Sequence, residues 1–262
     1  MNYKFIHNNA YLRILSSLVL ITIALSGIFL NNNFLLFTIC SIIFLITYEW
    51  VNITEDINTI TLKCTKSLFN VIIFMLSILS IKFSIIFYMI IFILNLFSKN
   101  TSKINKSFIL FGPIYLCLPF IYLYKILHLH DGIDIILWFL LIVWTTDIFS
   151  YICGRYFGGI KLYPSLSPNK TWSGFLLGIF FGVLISLICF YIKEYSLLKG
   201  MYFGLVLSLA TQLGDLFESW IKRKHKIKDS GKLLPGHGGL LDRLDGLMTS
   251  SIILYIGYIV YA

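Results

Sequence analysis

Between Ser219 and Asp245 the chain reads SWIKRKHKIKDSGKLLPGHGGLLDRLD, and this stretch holds the densest charge in a protein that is only 13% charged. Lys222, Arg223, Lys224, Lys226, Lys228, Lys232 and Arg243 stand there beside Asp229, Asp242 and Asp245. Cations gathered this way can rest on anionic lipid head groups, or they can meet metal-binding carboxylates around phosphates. The internal order favours the second chemistry. A helical approach carries Ser219, Lys222 and Arg223, a turn follows at Pro235, Gly236, His237, Gly238 and Gly239, and then come Asp242 and Asp245. Glycines let a backbone approach a ligand closely and offer N–H groups as an anion nest. A spacing of i, i+3 puts the two aspartates on one face if that segment is helical.

Upstream, Asp215 precedes Ser219 by four residues and Lys222 by seven. One side of a helix there carries an acceptor, a hydroxyl and a cation toward the basic loop. Asp147, in TTDIFSYICGRYFGG, shares a helical face with Tyr151 and Arg155, either as part of a site or as an internal ion pair with Arg155. In SLSPNKTWSG, Ser165 to Gly174, Pro168 interrupts regular structure, Thr171 or Ser173 can cap the next helix, and Asn169 and Lys170 offer donors to phosphate. Read blandly, that stretch is a loop and a cap. Glu49 and Glu218 also fall in apolar runs, where a carboxylate is costly unless paired or hydrated. Glu49 lies near the end of its helix, where it can reach water.

The elements that must position these groups are apolar helices. Of 262 residues 58% are hydrophobic and 17% aromatic, and the mean hydropathy is +0.86, more apolar surface than a soluble core of this size hides. The sequence therefore predicts an all-α polytopic membrane protein of about nine helices, near 11–30, 34–52, 68–81, 83–98, 107–124, 133–152, 172–193, 200–220 and 247–262. The first run is expected to be a retained anchor rather than a cleaved signal. The stretch 68–98 reads as two short helices turning at Lys82, with one long tilted helix as the alternative. The whole is expected to be a single membrane domain, with N-terminal helices in 1–125 and catalytic helices and loops in 133–262.

With the N-terminus inside and the C-terminus outside, all of the 21 Lys and Arg except Lys82, Lys125, Lys193 and Lys199 fall on the cytoplasmic side, as the positive-inside rule requires. The candidate site then lies at the cytoplasmic face. The net charge of +9 is thus accounted for by loops at a membrane, and nucleic acid is not an expected partner. The five cysteines form no CxxC pair, the histidines show no metal-ligand spacing, and no P-loop pattern occurs.

At these residues the sequence resembles the phosphatidate cytidylyltransferase (CDP-diacylglycerol synthase) family. The family's pattern S-x-apolar-K-R-x4-K-D-x-small-x2-apolar-[PG]-x-H-G-G-apolar-x-D-R-apolar-D is met from Ser219 through Asp245. Two upstream elements are also similar: D-x3-Y-x2-G-R-x2-G at Asp147, Tyr151, Gly154, Arg155 and Gly158, and S-P-x-K-T-W-x-G at Ser167, Pro168, Lys170, Thr171, Trp172 and Gly174. Asn169 stands where lysine is commoner. The likeness covers the chain from about 140 onward, while the first 100 residues match only as apolar helices.

The resemblance implies transfer of a cytidylyl group from CTP to phosphatidate, giving CDP-diacylglycerol and pyrophosphate for phospholipid synthesis, with Mg2+ as cofactor and a second cation left open. By resemblance, Asp215 and Asp242 hold metal, with Asp245 as a metal-binding or supporting carboxylate, and Ser219, Lys222, Arg223 and Arg243 contact phosphate. Ser167, Lys170, Thr171, His237, Gly238, Gly239, Asp147 and Arg155 are then expected to bind substrate. The implied setting is the bacterial inner membrane, multi-pass, with a homodimer as the expected assembly. Two other readings are a CTP-dependent polyprenol or lipid kinase and a non-enzymatic cation transporter built on Asp147 and Asp215.

Overall fold

The structure is a computed structural model and describes residues 16, 18–55, 59–96, 103–231, 233–234 and 238–261. Among them the helices run in the order α1 (Leu18–Phe29), α2 (Asn32–Thr54), α3 (Ile60–Leu79), α4 (Ile81–Leu96), α5 (Lys103–Leu127), α6 (Gly132–Phe157), α7 (Trp172–Ile192), α8 (Leu197–Lys224) and α9 (Leu241–Tyr261). Within the described residues, seven of these, α2, α3 and α5 to α9, are long and apolar enough to cross a membrane. The protein is an all-α, multi-pass membrane protein, with one short addition. Strands β1 (Lys161–Tyr163) and β2 (Ser167–Thr171) pair antiparallel, Lys161 opposite Thr171 and Tyr163 opposite Ser167, where a loop was expected.

Local sequence sets the helix ends. Asn31 caps α2, its side chain accepting from the Phe34 N–H at 2.8 Å. Ser80, extended at φ −163°, separates α3 from α4, so the described part of 68–98 is shared by two helices and the turn comes before Lys82. Apolar runs mark only the lipid-facing part of each helix, which is why α3 starts at Ile60, α8 continues to Lys224 and α9 begins at Leu241, ahead of the expected 247. Lys222, Arg223 and Lys224 occupy the last turn of α8, where cations complement the helix dipole. Asp242 and Asp245 consequently lie at the start of a helix rather than in a loop.

The described chain forms two compact units. One takes the residues up to Ile121 together with Ile227–Arg243, and the other takes Tyr122–Lys226 and the residues from Leu244 onward. In the first, Ile43, Ile46, Phe74 and Leu116 are fully buried. Trp50 donates through Nε1 to the Phe108 carbonyl at 3.3 Å, an approach that Gly112 permits because a Cβ there would lie 2.5 Å from that nitrogen. Glu55 and Lys66 form an ion pair beside this core.

In the second unit α7 carries Gly174, Gly178, Gly182 and Ser186 at four-residue spacing, all buried. Lipid tails are as apolar as leucine, so helices in a membrane gain from close backbone approach and shared hydrogen bonds rather than from apolar burial. A Cβ on Gly174 would lie 2.5 Å from the Ser150 carbonyl, and one on Gly182 would lie 2.5 Å from Thr146 Oγ1. The Thr146 hydroxyl donates to Ser208 Oγ at 3.0 Å, and Gln212 Nε2 donates to the Phe175 carbonyl at 2.8 Å. These contacts fix α6, α7 and α8 as one rigid group.

Candidate active site

Asp215 and Ser219 lie one turn apart on α8, and the Ser219 hydroxyl donates to Asp215 Oδ1 at 3.4 Å. The other carboxylate oxygen, Oδ2, is 2.6 Å from Lys170 Nζ. Lys170 reaches it from β2, and the hairpin that carries it is tied at several points. Thr171 ends the strand and caps α7, accepting from the Gly174 N–H at 3.2 Å. The Trp172 N–H donates to the Ile160 carbonyl at 3.0 Å, and Arg223 Nε donates to the Leu166 carbonyl at 3.1 Å. Gly158 and Gly159, at φ +59° and +95°, make the turn from α6 into β1 that a residue with a Cβ disfavours.

Asp245 approaches from α9. Gly214 on α8 and Gly246 on α9 bring these helices close: a Cβ on Gly214 would lie 2.7 Å from the Asp245 carbonyl, and one on Gly246 would lie 2.7 Å from Thr211 Cγ2. The charges of Asp215 and Asp147 act on Asp245, opposed by Lys222. Lys222 Nζ is 3.2 Å from Glu218 Oε1, so the expected sequence of acceptor, hydroxyl and cation is realised for Asp215 and Ser219, while Lys222 pairs with Glu218 and the hairpin supplies the cation beside Asp215. Arg155 Nη1 donates to the Tyr151 hydroxyl at 3.2 Å, on the shared face that their spacing predicts. Ser167 begins β2 opposite Tyr163.

In the other unit, Asp242 Oδ2 accepts from the N–H groups of Ser230 and Gly239, both at 2.9 Å. Gly238, at φ +92°, bridges back to Leu234. Glu49 is the residue that sequence reasoning missed. Instead of reaching water it is 1% exposed, and it accepts from the N–H groups of Leu240 (3.0 Å) and Leu241 (2.9 Å) and from the Ser230 hydroxyl (3.0 Å). The first N–H groups of any helix need outside acceptors. A carboxylate within an apolar run was the signal available; the start of α9 at Leu241 was not, because that helix was expected from 247. Arg243 is exposed on the first turn of α9, and His237 lies outside the described residues.

Asp215 and Asp147 both act on Asp245, and Lys170 is paired with Asp215; carboxylates of this kind offer hard oxygen donors. Among the described residues no group of three or more His, Cys, Asp or Glu side chains is arranged to hold a metal by itself. A cation that binds through one or two carboxylates and completes its shell with water and substrate phosphates, as Mg2+ does, would not need such a group.

A family model described as the cytidylyltransferase family matches residues 11–261. The chain belongs to the cytidylyltransferase family. Within it, the chain is 42% identical over 154 residues to the phosphatidate cytidylyltransferase of Staphylococcus aureus (strain COL), and 40% identical over 154 residues to that of Staphylococcus haemolyticus (strain JCSC1435). Each of these matches spans 58% of this chain and 58% of the relative's length. The phosphatidate cytidylyltransferase of Brucella abortus biovar 1 (strain 9-941) is 44% identical over 135 residues, 50% of this chain and 49% of its own.

Proposed function

We propose that this cytidylyltransferase-family chain converts CTP and phosphatidate to CDP-diacylglycerol and pyrophosphate in the bacterial inner membrane. The observation that carries the proposal is Asp215 held between Lys170 and Ser219, and acting on Asp245, on a membrane-spanning helix whose last turn is basic. The names of the relatives support the same reading. An oxygen of the phosphatidate phosphate forms a bond to the α-phosphorus of CTP, the bond from that phosphorus to the β-phosphate bridging oxygen breaks, and pyrophosphate leaves with that electron pair. The attacking oxygen is already anionic, so no side chain has to remove a proton, and the residues act by alignment and charge neutralisation.

Asp215 and Asp242 are assigned the carboxylates that would hold Mg2+, with Asp245 supporting them. When bound, that ion neutralises triphosphate charge. Lys170, Lys222, Arg223 and Arg243 are assigned phosphate oxygens; Ser219 orients Asp215. Ser167, Thr171, Gly238, Gly239, His237, Asp147 and Arg155 are assigned to substrate binding. The proposed orientation is N-terminus inside, with the basic segment in the cytoplasm, and the proposed assembly is a homodimer, tested by the mass of the purified protein in detergent.

Purified protein is given CTP labelled in the cytidine and, separately, in the γ-phosphate, with phosphatidate and Mg2+. The expected products are labelled CDP-diacylglycerol and labelled pyrophosphate in equal amounts. Release of CDP with γ-label on a lipid would identify a kinase instead, and loss of neither label from CTP would exclude both.

A further inference from the structure

The first helical N–H groups of α9 and the backbone of the segment before it are gripped by two carboxylates. Asp242 Oδ2 takes the N–H groups of Ser230 and Gly239, and Glu49, from α2, takes those of Leu240 and Leu241 together with the Ser230 hydroxyl. The two carboxylates thus share Ser230 and hold three successive backbone donors, residues 239 to 241. Room for Glu49 is built by two glycines: a Cβ on Gly231 would lie 2.5 Å from Glu49 Oε1, and one on Gly239 would lie 2.5 Å from Glu49 Oε2. A side chain 1% exposed, met by three donors and walled by glycines, occupies a fitted socket.

We propose that Glu49 is a positioning residue for the reaction: it clamps Ser230, Leu240 and Leu241 and so sets where the Asp242 carboxylate is presented. The inference rests on the proposed cytidylyl transfer for its functional part and on geometry alone for the clamp. All three groups on Glu49 are donors, so both of its oxygens must accept. A glutamine would turn its amide N–H toward one of these donors and lose that contact, whereas an aspartate keeps both acceptors but falls one methylene short. Glu49 does not touch Asp242's metal or substrate in this assignment; it acts through the backbone that Asp242 grips.

The test joins hydrogen exchange to kinetics on the full-length protein in detergent. In the wild type the amides of Leu240, just before α9, and Leu241, its first residue, have no intrahelical acceptor and are expected to be protected. In Glu49→Gln, exchange at one or both should accelerate about tenfold or more, the worth of a hydrogen bond to a charged acceptor. Mid-span peptides of α6 and α7 should be unaltered. Turnover should fall about 10- to 100-fold, the scale seen when a partner that orients a metal-binding carboxylate is lost. KM for CTP should change little, since no substrate contact is removed. Glu49→Asp should recover part of the rate. Unprotected amides at 240 and 241 in the wild type would overturn the clamp even if both variants failed to fold. Lost protection with unchanged turnover would overturn the positioning role. If the wild type protects these amides but makes no CDP-diacylglycerol, the proposed reaction falls, and with it the positioning role, while the clamp stands.

Discussion

Asp215→Asn should separate activity from stability. The pair with Lys170 is 2.6 Å long, but the two side chains are 22% and 36% exposed, and partly exposed pairs are worth about 0–1 kcal/mol. The same substitution also removes the charge of Asp215 that acts on Asp245, which works in the opposite sense. The two changes oppose each other, so the unfolding midpoint should move by no more than about 3 °C, the equivalent of roughly 1 kcal/mol for a chain of this size. Turnover should nonetheless fall at least about 100-fold, because a carboxylate that organises charge around phosphates is lost, an effect of about 2.7 kcal/mol or more on the barrier. Lys170→Met should behave differently, losing turnover and also stability, because the aspartates keep their mutual repulsion and lose a cation. Midpoints from scanning fluorimetry in detergent, run beside the labelled-CTP assay, give both quantities. An Asp215→Asn protein that loses stability in proportion to its activity, or keeps both, would refute the assignment and leave the pair as a structural link between hairpin and helix.

Gly174→Ala forces a methyl against the Ser150 carbonyl, a backbone atom that cannot rotate away, and should destabilise the protein by about 1–3 kcal/mol, read as a lower midpoint in the same assay. Arg223→Gln frees the hairpin turn at Leu166 and should lower kcat about 100-fold, whereas Lys224→Gln, which removes a cation lying 4.7 Å over the Trp220 ring, should change it little; equal losses would favour a diffuse basic patch. A cysteine at position 228 should react with an impermeant reagent only from the cytoplasmic side and one at 199 only from the other side, and the reverse would overturn the orientation.

What the sequence made legible follows the range of each interaction. Asp215 with Ser219 and Tyr151 with Arg155 are four residues apart, and helical spacing alone brings them together. The Thr171 cap was readable for the same reason, since it acts three residues ahead. The hairpin was hidden because its strands are three and five residues long, one contains Pro168, and neither alternates in polarity. Lys170 could be suspected of binding an anion, but its approach to Asp215 depends on the hairpin being anchored to three helices. Glu49 was the hardest to read: nothing within a turn of it hints at its partners, and an apolar run with one carboxylate near its end looks the same whether that carboxylate faces water or a helix terminus.

The donors that hold Glu49 lie 181 to 192 residues later in the chain. At a synthesis rate of about 5–20 residues per second, roughly 10 to 40 s separate the making of Glu49 from the making of its partners. During that interval the first unit has its helices but not the segment Ile227–Arg243 that completes it. The C-terminal end of α2 therefore emerges as an acceptor kept waiting, and its burial is an event that cannot precede the making of residues 230 to 241.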